Sequence, residues 1–338
     1  MDIRLKDFIS TGVYVILPEK EEIMCNFASF VLTKTSEYYN KNSDSHEDII
    51  IKYNLSSLDN EERCELVRIE IIPSKTPQDL STWIFKVDQD IYPEWTYKND
   101  PTLEERARKA LARRAEEQGI CKAINVGDDR IATVGVYGTA TAGDNGTATA
   151  GYNGTATVGY GGTAKAGEYG TAKVGEYGTA TAGYHGTATA GYHGTATVGN
   201  YGTATAGDNG TATVGGNGTA TAGDNGTANA GDNGTANAGD NGTANARYNG
   251  TAIARYNGTA NAGDNGTAIA GNNGTAIARY NGTAIAGNNG IATAGDNGTI
   301  IIKWYDGECC RKIIGHIGKD GIEANVPYKV ENGKLVKA

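Results

Sequence analysis

From residue 131 to residue 298, small or apolar positions alternate with polar ones on an eight-residue period. The octad Thr187-Ala188-Thr189-Ala190-Gly191-Tyr192-His193-Gly194 stands for the rest. Its first four residues read as a strand, in which successive side chains point to opposite faces. Thr187 and Thr189 then share one face, and Ala188 and Ala190 the other. The third position takes Thr141, Lys165, Lys173, Asn229, Ile253 or Ile285, the tolerance of a solvent-facing site. The second and fourth accept only Ala or Val between Ala132 and Ala294. That restriction marks a tight interior where a larger side chain would clash. The last four residues make a turn, and Asn and Gly, as in Asp144-Asn145-Gly146, tolerate positive φ. Helix is excluded, because each interior Gly costs roughly 1 kcal/mol relative to Ala.

One octad is too short to be a coil, since eight residues at about 3.3 Å each give a perimeter of only about 26 Å. Two octads suffice, with two short strands back to back, Ala against Ala and Thr outside. Doublets support this unit: Glu168 and Glu176, Lys165 and Lys173, Tyr184 and Tyr192, Tyr248 and Tyr256. The 168 residues hold 21 octads. Ten or so coils stacked at about 4.8 Å would make a rod about 50 Å long. The expected fold is mainly β: a two-sheeted parallel β-solenoid of sixteen-residue coils, with a small α+β N-terminal domain and a β C-terminal cap. The rival is an antiparallel meander with Asn-Gly hairpins. It leaves the Ala face unpacked, and Glu-Tyr-Gly or Tyr-His-Gly suits a type I′ turn poorly.

The flanks have ordinary globular patterns. Val13–Leu17 reads as a strand stopped by Pro18, and Ile23, Phe27, Phe30 and Val31 have helical spacing over 20–39. Lys41 to Asp48 is polar and loop-like, and Ile49-Ile50-Ile51 starts a strand. Val67, Ile69 and Ile71 alternate with Arg68 and Glu70, and Trp83–Val87 is a further strand. Asp100 and Pro101 open the clearest helix. Its stripe is Leu103, Ala107, Ala110, Leu111 and Ala115, and Gly119 is its C-cap. The domains expected are 1–125, whose final helix covers the first coil, the array 126–298, and a cap 299–338. Caps are needed because a solenoid end exposes unpaired strand edges. At Thr299–Trp304 bulky residues replace Ala, and Asp306-Gly307, Asp320-Gly321 and Asn332-Gly333 mark tight turns.

Charge narrows the partners. The net charge is −9, with 25 acids and 18 bases in residues 1–130. No basic stripe exists for nucleic acid, and no apolar run approaches the roughly 18 residues of a membrane span. Cys25, Cys64, Cys121, Cys309 and Cys310 form no regular framework, as expected of reduced thiols in a cytoplasmic protein. The vicinal Cys309-Cys310 pair is either redox-active or idle. The N-terminus does not open a signal peptide.

Enzyme signatures are missing: there is no Walker loop, dinucleotide glycine pattern or Ser-His-Asp order. No catalytic residue, cofactor or metal is therefore assigned. His185 and His193 hold equivalent turn positions, but no Cys or carboxylate recurs beside them. Calcium-binding nonapeptides have a period of nine, which this array lacks. Two surface features point to binding. The Thr-x-Thr ladder runs through six octads from Thr179 to Thr221 and includes Thr187, Thr189, Thr203, Thr205, Thr219 and Thr221. Such a lattice of hydroxyls and methyls can order water or bind a regular ligand, although Thr also simply favours exposed strands. An Arg-Tyr pair recurs at Arg247-Tyr248, Arg255-Tyr256 and Arg279-Tyr280, either a protein-binding strip or a turn ladder held by cation–π contact. A Tyr ladder or a solenoid edge is the place for a homodimer contact.

The segment Ala182-Gly183-Tyr184-His185-Gly186-Thr187-Ala188-Thr189-Ala190 resembles the repeat of bacterial ice-nucleation proteins. The resemblance covers residues 131–298 only. It implies a sixteen-residue coil, a water-ordering Thr-x-Thr face and Tyr ladders along an edge. Both octads of a coil are alike here, whereas the family's second half carries Ser-x-Leu. Past residue 227 the ladder becomes Thr-x-Asn and Thr-x-Ile. The functional expectation is a non-enzymatic scaffold or binding protein with a protein partner, the alternative an ice-binding or weakly ice-nucleating one.

Overall fold

The structure, a computed structural model, describes residues 28–40, 42–43, 45–60, 63–74, 80–118, 120 and 122–338. Two compact units emerge: one reaches Thr76 and includes Ser81–Leu111, and the other comprises Pro77–Leu80 and Ala112–Ala338.

In the first unit, the Ala28–Leu32 strand pairs antiparallel with Glu37–Tyr38 on one side and Val67–Ile72 on the other. Ile84–Val87 completes a four-stranded sheet. The Val67–Ile72 strand and the one ending at Val87 stand as expected. The helix expected over 20–39 does not hold where it can be seen. Phe30 and Val31 lie in a strand whose five residues are all buried. Pairing on both flanks overrides the helical spacing. Ile49–Ile51 likewise lies in a helix, His46–Lys52, instead of a strand. Ser45 caps that helix by accepting the Asp48 amide at 3.3 Å, and a three-residue apolar run cannot by itself distinguish helix from strand. Ile49 and Ile50 cluster with Val31, Leu55 and Leu66. The strand expected at Val13–Leu17 and the Gly119 cap lie outside the described residues.

The helix Pro101–Gln118 forms as its sequence indicates. Asp100 accepts the Thr102 amide at 2.9 Å. Leu103, Ala107, Ala110, Leu111 and Ala115 are buried. Glu104–Arg108 and Glu105–Lys109 are ion pairs on the exposed face.

The second unit is the solenoid. Four-residue strands follow one another every eight residues and fall alternately into two 13-stranded sheets. Each octad strand pairs in parallel with the strand sixteen residues away, Thr on Thr and Ala on Ala, as in Thr187↔Thr203 and Ala188↔Ala204. The meander is thereby excluded. About eleven coils result. Position two of each strand is fully buried and position four nearly so, in one continuous core from Ala132 to Ile302.

The turns explain the remaining octad residues. Gly146 donates to Gly143 at 3.3 Å, closing a four-residue turn. Only its third residue, Asn145, has positive φ, at 55°. Asn145 also donates its amide to Tyr160 of the next coil at 2.7 Å. Turn backbones are thus paired between coils as the strands are. The final Gly serves another purpose than expected: a Cβ on Gly146 would stand 2.7 Å from the Ala142 Cβ and 2.9 Å from the Arg130 carbonyl. Close approach requires it, not positive φ.

At the C-terminal end, Thr299–Tyr305 starts as another parallel strand and then pairs antiparallel with Cys310–His316. Tyr328–Glu331 pairs antiparallel at Ala292 and carries Lys334–Lys337 outside it. Each sheet therefore ends in a hairpin whose outermost strand carries charge: Arg311 and Lys312 on one, Lys334 and Lys337 on the other. Charged outer strands discourage end-to-end growth.

Candidate binding surfaces

The six threonines of the predicted ladder come together. Thr187, Thr203 and Thr219 are successive partners in one sheet, and so are Thr189, Thr205 and Thr221. All six point outward, exposed or half-buried. Rungs are spaced about 4.8 Å apart and the two columns about 6.6 Å apart, the repeats of a parallel sheet. The opposite face carries its own three rungs, Thr179, Thr195 and Thr211 beside Thr181, Thr197 and Thr213.

The three Arg-Tyr pairs are not brought into one strip. Successive turns fall on opposite edges of the solenoid, because successive octads fall in opposite sheets. Arg247-Tyr248 and Arg279-Tyr280 share one edge, separated by the Gly263–Gly266 turn. Arg255-Tyr256 lies on the other. His185 and His193 are parted by the same rule, so the pair of imidazoles is not formed. Among the described residues no group of three or more His, Cys, Asp or Glu is arranged to hold a metal ion.

What the edges do gather is aromatic. One carries Tyr137, Tyr152, Tyr169, Tyr184 and Tyr201 in five successive coils, with His185 stacked between Tyr169 at 5.2 Å and Tyr201 at 5.1 Å. The other carries Tyr160, Tyr177 and Tyr192, with His193 stacked on Tyr177 at 5.0 Å. Loss of water around the Tyr152 hydroxyl raises its pKa, and the neighbouring Tyr169 and Glu168 add to the effect. Polar ladders follow further along. Asn261 donates to Asn245 at 2.8 Å and Asn245 to Asn229 at 2.9 Å. On the Tyr192 edge, the carboxylates of Asp208 and Asp224 each accept the amide of the turn sixteen residues on.

Cys309 and Cys310 are exposed at the tip of the first C-terminal hairpin. Asp306 holds that tip by accepting the Cys309 and Glu308 amides, each at 2.8 Å, and those bonds with Arg311 depress its pKa. Desolvation, and then Asp306, raises the Cys309 thiol, which leaves less thiolate at neutral pH.

One surface lies outside the expectations drawn from the sequence. Ile253, Ile269, Ile285 and Ile301 pair in succession on the face that carries Thr187, and Ile314 extends the row. The signal was an Ile every sixteen residues, which acquires meaning only when alternate octads are assigned to one face.

Comparison with protein-family models, with curated proteins and with solved structures finds no match. The sixteen-residue coil of Thr-x-Thr strands implied by the ice-nucleation resemblance is present.

Proposed function

We propose that this protein is a non-enzymatic scaffold, a β-solenoid whose outward ladders, together with its N-terminal α+β unit, are recognised by a protein partner. One observation carries the reading. Inward positions stay Ala or Val, while outward columns change in zones from Thr to Lys, Asn and Ile without loss of register. A framework that holds backbone geometry constant while its surface varies suits recognition. The test is affinity capture with the full-length chain against Thr189→Lys/Thr205→Lys/Thr221→Lys and a chain lacking the N-terminal unit. A single Lys is accommodated at the equivalent Lys173, but a column of four costs stability by like-charge repulsion, so circular dichroism and a thermal melt must first show that the triple variant keeps its fold. A partner whose recovery falls about tenfold with either change supports the scaffold. Recovery indifferent to both counts against it.

The three in-register Thr rungs support a second reading, ordering of water at an ice surface. Droplet-freezing and thermal-hysteresis measurements on the same triple variant decide it. Activity present in the native chain and absent from the variant is the expected result. An inactive native chain removes the reading.

A further inference from the structure

We infer that the C-terminal end of the Thr187 face holds a docking groove for an extended acidic peptide, with two carboxylates flanking an apolar side chain. This rests on the scaffold reading and names a partner chemistry for one part of it. The groove is a shallow concavity of about 470 Å³, lined among others by Arg255, Tyr256, Ile269, Asn272, Ile285 and Lys303. Its origin is in the octad. Residues 255, 271, 287 and 303 occupy the same place in four successive coils of one edge and read Arg, Gly, Gly, Lys. The surface between the two cations is a low notch, its two glycines packed closely against the preceding coil, where a Cβ would stand 2.7 Å from the Arg255 backbone at Gly271 and 2.7 Å from the Asn272 amide nitrogen at Gly287. Ile269 and Ile285 form its floor. Tyr256 walls one end, its hydroxyl held by the Asn273 amide at 2.9 Å.

The charge around the notch points to an anionic occupant. Neither Arg255 nor Lys303 has an ion-pair partner among the described residues. Lys312, opposite Lys303 on the hairpin, adds a further positive charge. On this edge the second turn residue is Asp in Asp208, Asp224 and Asp240, Tyr in Tyr256, and Asn in Asn272 and Asn288 beside the notch. On the other edge Asp persists at Asp264 and Asp296 at similar heights. Along this edge the carboxylates stop at Asp240, which accepts the Tyr256 backbone amide at 3.2 Å at the Arg255 end, and the turns at Asn272 and Asn288 carry none.

Spacing selects a peptide. Arg255 and Lys303 are three coils apart, about 14 Å at about 4.8 Å per coil. An extended chain covers about 13 Å between residues i and i+4, and residues i, i+2 and i+4 face the same way. Carboxylates at i and i+4 would meet the two cations while an apolar residue at i+2 rests on Ile269 and Ile285.

The probe is a fluorescein-labelled peptide, Gly-Ser-Glu-Ser-Leu-Ser-Glu-Ser-Gly, titrated with the full chain by fluorescence anisotropy at low salt. Saturable binding is expected. It should weaken about tenfold in Arg255→Glu or Lys303→Glu, and in Ile269→Asn/Ile285→Asn. Asn already occupies the equivalent third position at Asn237, so the last variant should keep its circular dichroism. The Arg255→Glu/Lys303→Glu chain should instead bind the peptide with Lys in place of both Glu. Equal binding of a Gln-for-Glu peptide, or none of the parent peptide, overturns the proposal. So does binding of a fluorescent long-chain fatty acid, but not the peptide, with the same mutational pattern. If the peptide fails while partner capture still depends on the Thr ladder, the groove falls and the scaffold stands.

Discussion

At the scale of single residues, the seventh position of the octad shows what each turn demands. It has φ between 51° and 61° in the octads from Asn145 to Asn297 where it is not glycine. Asn accepts this region because its short polar side chain is tolerated there. Tyr169, Tyr177, His185 and His193 adopt it too. Their rings stack along the edges, and pairs of that kind contribute about 0.5–1.5 kcal/mol beyond burial, which offsets part of the backbone cost. Asn225 has φ 57° and is exposed, so it isolates the backbone effect. Asn225→Val should lower stability by about 1–2 kcal/mol, whereas Asn225→Gly should stay within about 0.5 kcal/mol of the native chain. Guanidinium denaturation midpoints measure both. A Val variant as stable as the Gly one would mean that the turn relaxes out of this conformation.

At the scale of the strand, four residues are too few for independent stability, and each octad strand depends on what lies across the core. Position two admits only Ala from Ala132 to Ala292, while position four admits Val at Val134, Val158, Val174, Val198 and Val214. The core is closer at the first site than at the second. Ala220→Leu should therefore cost about 1–3 kcal/mol by overpacking, and Ala222→Val less than about 1 kcal/mol. Thermal melts followed by circular dichroism separate them, and equal melting points would show that both sites have spare volume. This in-out pattern was legible in the sequence because a side chain that must fit between two sheets is restricted at every repeat. The helix at Ile49 was not, since three isoleucines fit either period and Ser45 decides the matter locally. The Arg-Tyr strip failed for a reason of topology: the spacing of eight places neighbours in sequence on opposite edges, and only spacing of sixteen stacks them. The Ile row and the groove beside it follow from that same rule.

At the scale of the solenoid, pairing has a period of sixteen but chemistry a period of eight. Each strand meets its partner Thr to Thr and Ala to Ala whichever sheet it occupies. The unit of folding should then be the octad and not the coil. Removing Thr203–Gly210 would move every later strand to the opposite sheet. Thr187 would pair with Thr211 and Thr195 with Thr219, so Ala would still face Ala. The C-terminal hairpins would turn with the strands they cap, because they contact only the last coils. Repeat arrays are stabilised chiefly by nearest-neighbour interfaces, so this deletion should lower the denaturation midpoint by less than removal of Thr203–Gly218, with both variants unfolding cooperatively. Equilibrium denaturation of the two deletions beside the intact chain tests it. If the one-octad deletion aggregates or melts without a transition while the two-octad deletion folds, the two sheets are not interchangeable, and some asymmetry between the faces is required for the solenoid to close.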